Sequence, residues 1–258
     1  NDMKNINDIH RDTVFLGLEC VNNTNPSNLS LAQAYLQQYE RFESRDYYLD
    51  SALVYINTID LNSSEGVYTY IYYLFLTQNY NRILTFVENI GLDVLLNQYL
   101  INRDYSNQDA WTSYRIGESF MHNQQIELAI NFYQQSVKLA PYNLEFRNKY
   151  GVTLFKQDKI QFAIDEFKFI LNEDHNFTSA YGNLGYIYFS LGKKEEAMQY
   201  YNYALKINPY HEKTLLNKAE LLLLDKNKKD AFICIDKVLN INPNNLQAKA
   251  LLNHVNEI

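Results

Sequence analysis

Residues 178–211 read TSAYGNLGYIYFSLGKKEEAMQYYNYALKINPYH, and this stretch decides the fold of the chain. Large apolar residues recur in each half at helical spacing, as expected for two helices that pack face to face. Small residues stand among the large ones in each half, such as Gly185 in the first and Ala197 in the second, and Pro209 follows the second half. Small residues let two helices cross closely and proline stops a helix, so the stretch predicts a tight helix pair.

The spacing of prolines indicates that this stretch is one copy of a repeat. Pro209 and Pro243 are separated by the length of the stretch itself, and Pro141 precedes Pro209 by twice that distance. Steps of the same length place Gly or Ala at position 8 and Ala at position 20 of four segments, 110–143, 144–177, 178–211 and 212–245. This period of about 34 residues and these positions resemble the tetratricopeptide repeat (TPR) family.

The resemblance implies an all-α fold, a right-handed α-α superhelix (TPR solenoid) of stacked antiparallel helix pairs. Each pair leaves one face bare, so the ends of the array need caps, and residues 246–258 are predicted to form a C-terminal capping helix. Residues 28–109 are interpreted as divergent TPR-like helix pairs. Their helices are predicted near 30–43, 65–77 and 80–90, with a further helical stretch within 91–109. Residues 1–27 are Asn-rich and poorly periodic, which predicts an N-terminal arm.

Composition supports helices and argues against several classes of partner. The chain has 258 residues, 47% of them hydrophobic, with only 8 Gly and 4 Pro, too few for the many tight turns of a β-sandwich or barrel. Residues 1–143 carry 8 Lys/Arg and 16 Asp/Glu, a balance of −8, while residues 144–258 carry 15 and 14, a balance of +1. Neither balance suits phosphate neutralisation, so no nucleic-acid partner is expected.

The sequence carries no motif typical of catalysis, metal binding or membrane insertion. It lacks GxSxG, GxxxxGK[ST] and HExxH, its histidines are dispersed, and its two cysteines, Cys20 and Cys234, stand near opposite ends of the chain. It has no apolar run of the ~18 or more residues that span a bilayer. We therefore expect no enzymatic activity, no cofactor, no metal and no membrane insertion.

In TPR folds the first helix of each pair lines a concave groove, with positions 2, 5, 6, 9, 12 and 13 facing it. Val152 and Lys156 hold two of these positions. The peptide-binding groove that the resemblance implies is assigned to aromatic, amide and basic side chains, which are Trp111, Tyr114, Met121, Asn148, Lys149, Phe155, Asn183, Tyr186, Phe189, Lys213 and Asn217. Aromatic rings can anchor a partner's side chains and amides can pair with its backbone.

Two specific forms of TPR recognition can be compared with these positions. Asn183 and Asn217 share one position of successive repeats, which resembles the asparagine ladders that hold a peptide main chain in some TPR superhelices. The carboxylate clamp of chaperone adaptors requires Lys and Asn where this chain has Asn148 and Val152. Without those two residues a terminal carboxylate loses charge-assisted bonds, so binding of chaperone tails is disfavoured.

The sequence therefore predicts a protein- or peptide-binding scaffold whose partner it does not identify. The alternative is a structural assembly or docking domain of a larger bacterial polypeptide, which acts by self-association or by contacts within that chain. The first residue is Asn1 and not Met, so we expect a mature or excised fragment, cytoplasmic, or bacterial periplasmic if Asn1 follows a removed signal peptide.

Overall fold

The computed structural model describes residues 27–42, 46–61, 63–91 and 107–257. Within these residues the chain forms thirteen α-helices and no strand, which confirms the all-α fold. The helices are α1 Asn28–Phe42, α2 Asp46–Ile56, α3 Ser64–Leu76, α4 Tyr80–Ile90, α5 Asn107–His122, α6 Ile126–Leu139, α7 Leu144–Lys156, α8 Ile160–Glu173, α9 Thr178–Ser190, α10 Lys194–Ile207, α11 Glu212–Leu224, α12 Lys228–Ile241 and α13 Leu246–Glu257.

The chain divides into two compact units between Pro141 and Tyr142. The first unit contains α1 to α6 and the second contains α7 to α13. The predicted N-terminal arm and most of the predicted helical stretch within 91–109 lie outside the described residues.

The first unit begins with an aromatic core between α1 and α2. Tyr35 on α1 is fully buried, and its ring stacks on that of Tyr55 on α2 with centroids 5.9 Å apart. Tyr72 on α3 packs into the same cluster. The helices α1, α3 and α4 lie within two residues of the positions predicted for them.

In five helix pairs, from α3–α4 to α11–α12, the loops between the two helices share one backbone conformation. Each contains a residue with a left-handed φ of 56° to 73°, at Gln78, Gln124, Asp158, Gly192 and Lys226. The next amide donates to a carbonyl five residues earlier, as from Lys193 to Tyr188 at 2.9 Å, and this bond satisfies an orphan carbonyl at the end of the first helix. Because Gln78 lies in such a loop, the pair α3–α4 turns in the same way as the clear repeats.

Within three helix pairs, a glycine of the first helix lies against an aromatic ring of the second. A Cβ added to Gly117, Gly151 or Gly185 would lie 3.0, 3.0 or 2.5 Å from Tyr133, Phe167 or Tyr201, respectively. In the pair α11–α12 the same two repeat positions hold Ala219 and Ile235, both fully buried. A larger residue on one helix is thus matched by a smaller one on the other, which keeps the packing dense.

The second unit ends on α13, whose apolar side packs on the preceding pair. Ala248 is fully buried, and Leu251 and Leu252 pack against the core cluster of α11 and α12. Cys234 belongs to this cluster, and burial raises the pKa of its thiol. The position after α8 holds His175 where three other repeats have proline, and its Nδ1 lies 2.5 Å from the Leu171 carbonyl oxygen. This contact supports the structural role that the sequence predicts for His175.

The glycine–aromatic contact predicts that the effect of Gly185→Ala on stability depends on the residue at position 201. Gly185→Ala should lower the free energy of unfolding by about 1–2 kcal/mol, because overpacking against Tyr201 exceeds the higher helix propensity of alanine. In a Tyr201→Ile background, which copies the Ala219–Ile235 pair, Gly185→Ala should instead raise it by up to about 1 kcal/mol. Urea unfolding followed by far-UV circular dichroism measures both effects. Equal effects in the two backgrounds would contradict this contact.

The shared loop conformation predicts opposite effects at two equivalent positions. Nothing lies within 4 Å of a Cβ added to Gly192, so Gly192→Ala tests the left-handed backbone alone and should cost about 1 kcal/mol. Lys226→Gly should raise the free energy of unfolding by up to about 1 kcal/mol, since Lys226 adopts a φ of 58°. The same urea titration measures both variants, and a neutral Gly192→Ala would count against the explanation.

Candidate functional site

The second unit contains a pocket of about 180 Å³ beside the first helices of three successive pairs, α7, α9 and α11. Phe167 and Ile187 are buried and contribute an apolar floor. The other lining residues are Val152, Phe155, Lys156, Asn183, Tyr186 and Lys213. Four of the residues assigned from the sequence, Phe155, Asn183, Tyr186 and Lys213, therefore come together at one place.

The Asn183 side chain connects all three helices through hydrogen bonds. Its Nδ2 donates to Oδ1 of Asn148 on α7 at 2.9 Å, and its Oδ1 accepts from Nζ of Lys213 on α11 at 3.0 Å. Asn183 is only 8% exposed, so these bonds hold the amide in a defined orientation. A primary amide has two donor hydrogens and two acceptor lone pairs. One of each therefore remains available on Asn183.

Two aromatic rings form the apolar edge of the pocket. The rings of Phe155 and Tyr186 meet edge to face, with centroids 5.7 Å apart and an interplanar angle of 77°. Tyr186 is 39% exposed, which is high for so large a ring, and it offers apolar surface beside the pocket. Phe189 does not line the pocket and packs against the buried cluster that contains Ala197 and Tyr201.

The pocket also carries positive charge, from Lys156 and from Lys213, which donates to Oδ1 of Asn183. The Lys213 side chain is exposed over part of its surface, yet partial desolvation, and then the charges of Lys156 and Lys149, lower its pKa. Burial and the charge of Lys213 likewise lower the pKa of His211. The pocket thus combines an apolar floor, an oriented amide and an electropositive wall.

Asn217, the second predicted rung of the asparagine ladder, is buried differently from Asn183. It is 7% exposed, its Nδ2 has no hydrogen-bond partner among the described residues, and it does not line the pocket. The hydrogen-bonded pair is therefore Asn148 with Asn183, and Asn217 is not part of it. An unpaired buried amide destabilises the folded chain unless water or a partner satisfies it.

The three predicted site residues of the first unit lie on α5. Trp111 meets Tyr114 edge to face at 5.4 Å, and the guanidinium of Arg115 lies 5.4 Å from the Trp111 ring. Tyr114 is 5% exposed and packs near Tyr133, so it offers little surface to a partner. Met121 is partly buried on the same helix. The assignment of these three residues to a groove stays a prediction.

Sequence reasoning missed the floor of the pocket. Phe167 holds a repeat position that indicates only helix packing, and Ile187 holds none of the groove-facing positions. Val152 and Lys156 could be found, since both hold groove-facing positions. Among the described residues, no group of three or more His, Cys, Asp or Glu side chains could hold a metal ion, and no helix has the length and apolar character needed to cross a bilayer.

The repeat found in this geometry matches a known family. A tetratricopeptide repeat model matches residues 178–211, and a second tetratricopeptide repeat model matches residues 112–143. These two matches support the assignment of the repeat to the tetratricopeptide repeat family. The match covers two of the four TPR repeats seen in the sequence.

Two curated proteins are similar to parts of this chain. The chain is 37% identical over 90 residues to the uncharacterized protein ycf37 of Pyropia yezoensis, which covers 34% of this chain and 51% of ycf37. Protein bimA of Emericella nidulans is 25% identical over 130 residues, 50% of this chain and 16% of bimA. The matched regions thus span about half of ycf37 and less than a fifth of bimA.

Among solved structures, a chain of the APC/C hetero-tetramer Cut9-Hcn1 superposes with a TM-score of 0.67 at 18% identity, over 96% of this chain and 46% of that chain. This likeness shows the fold, a TPR superhelix.

The two buried asparagines, Asn183 and Asn217, predict opposite stability changes. Asn217→Leu should raise the free energy of unfolding by about 1 kcal/mol, because it removes an unpaired buried donor. Asn183→Leu should lower it by about 1 kcal/mol, because Asn148 and Lys213 lose their common partner. Thermal unfolding measures the stability of each variant relative to the unaltered chain. The two variants are a matched comparison, because both replace asparagine by leucine. A stabilising Asn183→Leu would show that its hydrogen bonds contribute nothing to stability.

Proposed function

We propose that this chain is a non-catalytic scaffold whose second unit binds an extended peptide segment of another protein along α7, α9 and α11. The observation that carries the proposal is the Asn183 amide, fixed by two hydrogen bonds with a donor and an acceptor to spare, beside an open apolar pocket. An oriented amide pairs with the backbone of an extended peptide, and the neighbouring pocket receives one of its side chains.

The expected contributions can be placed on a scale. Burial of one Val, Leu, Ile, Phe or Met side chain contributes about 1.5–3 kcal/mol, and each net hydrogen bond about 0.5–1.5 kcal/mol. One anchor and two bonds to Asn183 then sum to about 2.5–6 kcal/mol, which corresponds to dissociation constants of about 15 mM to about 40 µM before the entropy cost of association is subtracted. Tighter binding requires contacts at further groove positions, so we expect a segment that contacts more than one repeat.

A solved TPR structure offers an analogy at the level of the fold. YrrB, described as a TPR protein with an unusual peptide-binding site, superposes with a TM-score of 0.50 at 15% identity, over 88% of this chain and all of YrrB. At this identity the likeness concerns the fold alone, and the proposal depends on the Asn183 site of this chain.

Self-association, the alternative function, has one feature in its favour. Phe232 and Ile233 are adjacent on α12, and both are nearly half exposed. Two neighbouring exposed apolar side chains can contribute to an interface between copies. Light scattering over a concentration series separates the two functions, because a concentration-dependent increase in mass favours assembly.

The peptide-binding proposal predicts which substitutions abolish binding. Peptides selected from a random library displayed on phage should lose affinity at least about tenfold on Tyr186→Ala or Asn183→Ala, because each removes one contact of the pocket. Fluorescence anisotropy of the synthetic peptides measures the dissociation constants. Tyr203→Ala is the matched control, since Tyr203 is an exposed tyrosine of α10 outside the pocket.

Two results would count against the proposal. The first is a selected peptide whose affinity responds to Tyr203→Ala as strongly as to Tyr186→Ala. The second is the absence of any peptide from repeated selections that is sensitive to Tyr186→Ala, with circular dichroism showing the chain folded.

A further inference from the structure

We propose that the segment bound in this groove is acidic, with an Asp or Glu side chain next to its apolar anchor, and that Lys156 and Lys213 recognise that carboxylate. This inference rests on the proposed function and specifies the chemistry of the partner.

The pocket presents uncompensated positive charge. Its lining residues, all within the described part of the chain, include two lysines and no carboxylate. Neither Lys156 nor Lys213 forms an ion pair among the described residues. Two other cations of the second unit are paired, Arg147 with Glu166 and Lys194 with Asp225, both at 2.6 Å.

The acidic residues of α11 are occupied by amides of α13 and of the loop before it. Glu212 accepts a hydrogen bond from Nδ2 of Asn245 at 3.3 Å, and Glu220 accepts one from Nε2 of Gln247 at 2.8 Å. A partner that carries a carboxylate would supply the charge complementary to the two lysines of the pocket.

The arrangement of like charges is unfavourable in the free chain. Lys156 and Lys149 act on Lys213 strongly enough to lower its pKa, in addition to the effect of burial. Like charges placed together disfavour the protonated state, and a carboxylate between them reverses that effect. The free chain is therefore predisposed to accept an anion at this place.

The geometry sets where the carboxylate lies along the peptide. Nζ of Lys213 donates to Asn183 at 3.0 Å, and an ammonium group has three donor hydrogens, so two remain for an incoming carboxylate. Asn183 is the group that holds the peptide backbone, and the apolar pocket adjoins it. An acidic side chain bound by Lys213 thus belongs to a residue next to the apolar anchor.

The carboxylate belongs to a side chain and not to a chain terminus. A clamp for a terminal carboxylate requires a lysine and an asparagine at the positions of Asn148 and Val152. Asn148 is instead neutral, and its Oδ1 accepts a hydrogen bond from Nδ2 of Asn183. Lys156 and Lys213 are left as the two cationic residues that line the pocket.

The test uses the full chain and a random dodecapeptide library fused at its C-terminus to a phage coat protein, so that every selected acid is a side chain. Peptides sensitive to Tyr186→Ala should be enriched in Asp or Glu next to an apolar residue. The best peptide, acetylated and amidated, should lose affinity at least about tenfold on replacement of its acid by the amide, because charge-assisted bonds are lost.

Reversing the charge of the two pocket lysines tests the same contact from the side of the protein. The double variant Lys156→Glu, Lys213→Glu should weaken the acidic peptide at least about tenfold and bind its lysine-substituted version more tightly than the unaltered chain does. The control Lys206→Glu, Lys237→Glu makes the same change in net charge at exposed sites on α10 and α12, outside the pocket. It should change the affinity by less than about twofold at physiological salt.

The outcomes separate this inference from the proposed function. Groove-sensitive peptides without an acidic preference, or equal effects of the two double variants, overturn the acidic specificity and leave peptide binding intact. A failure to select any groove-sensitive peptide overturns both. If the charge-reversed chain does not fold, Lys156→Gln, Lys213→Gln replaces it, with an expected loss of about fivefold, and an unchanged affinity overturns the inference.

Discussion

The close contact between a small residue of one helix and a large residue of its partner is the constraint on which the rest of the structure depends. Gly151 lies against Phe167, and a Cβ at that glycine would approach the ring to 3.0 Å. A larger side chain would separate the helices and displace the residues that each helix contributes to the groove. Where the second unit replaces glycine by Ala219, the facing residue shrinks to Ile235. A larger residue on one helix is thus matched by a smaller one on its partner, although the residues differ.

The same contact builds the candidate site. The ring of Phe167 that packs against Gly151 also contributes to the floor of the pocket, so one side chain serves the helix pair and the groove. Above this floor, Asn183 connects α7 to α11 through Asn148 and Lys213. A rigid floor and an amide held from two sides are preorganised, which reduces the entropy that a bound peptide must lose at this place. The proposed recognition of a peptide therefore depends on the packing that the repeat requires.

Much of the fold, and part of the site, could be predicted from the sequence. The regular spacing of the repeat, with Gly185 and Ala197 at the crossing points, predicted the helix pairs of the second unit, because close packing tolerates few residue types there. The groove-facing register also predicted Asn183 and Tyr186. It could not reveal that Asn183 bonds to Asn148 while Asn217 stays unpaired, because side-chain orientation depends on neighbours from other repeats. The floor residue Phe167 escaped for a related reason, since its repeat position indicates only packing.

The central claim is that an extended peptide binds along α7, α9 and α11 through the Asn183 amide. Side-chain amide resonances in the nitrogen-15 NMR spectrum report on this directly during titration with a peptide selected on the chain. The account predicts that the signals of Asn148 and Asn183 shift in proportion to the bound fraction, while those of Asn240 and Asn244, exposed in the last repeat, stay in place. Saturable binding that leaves the Asn183 amide signal unchanged would contradict the account.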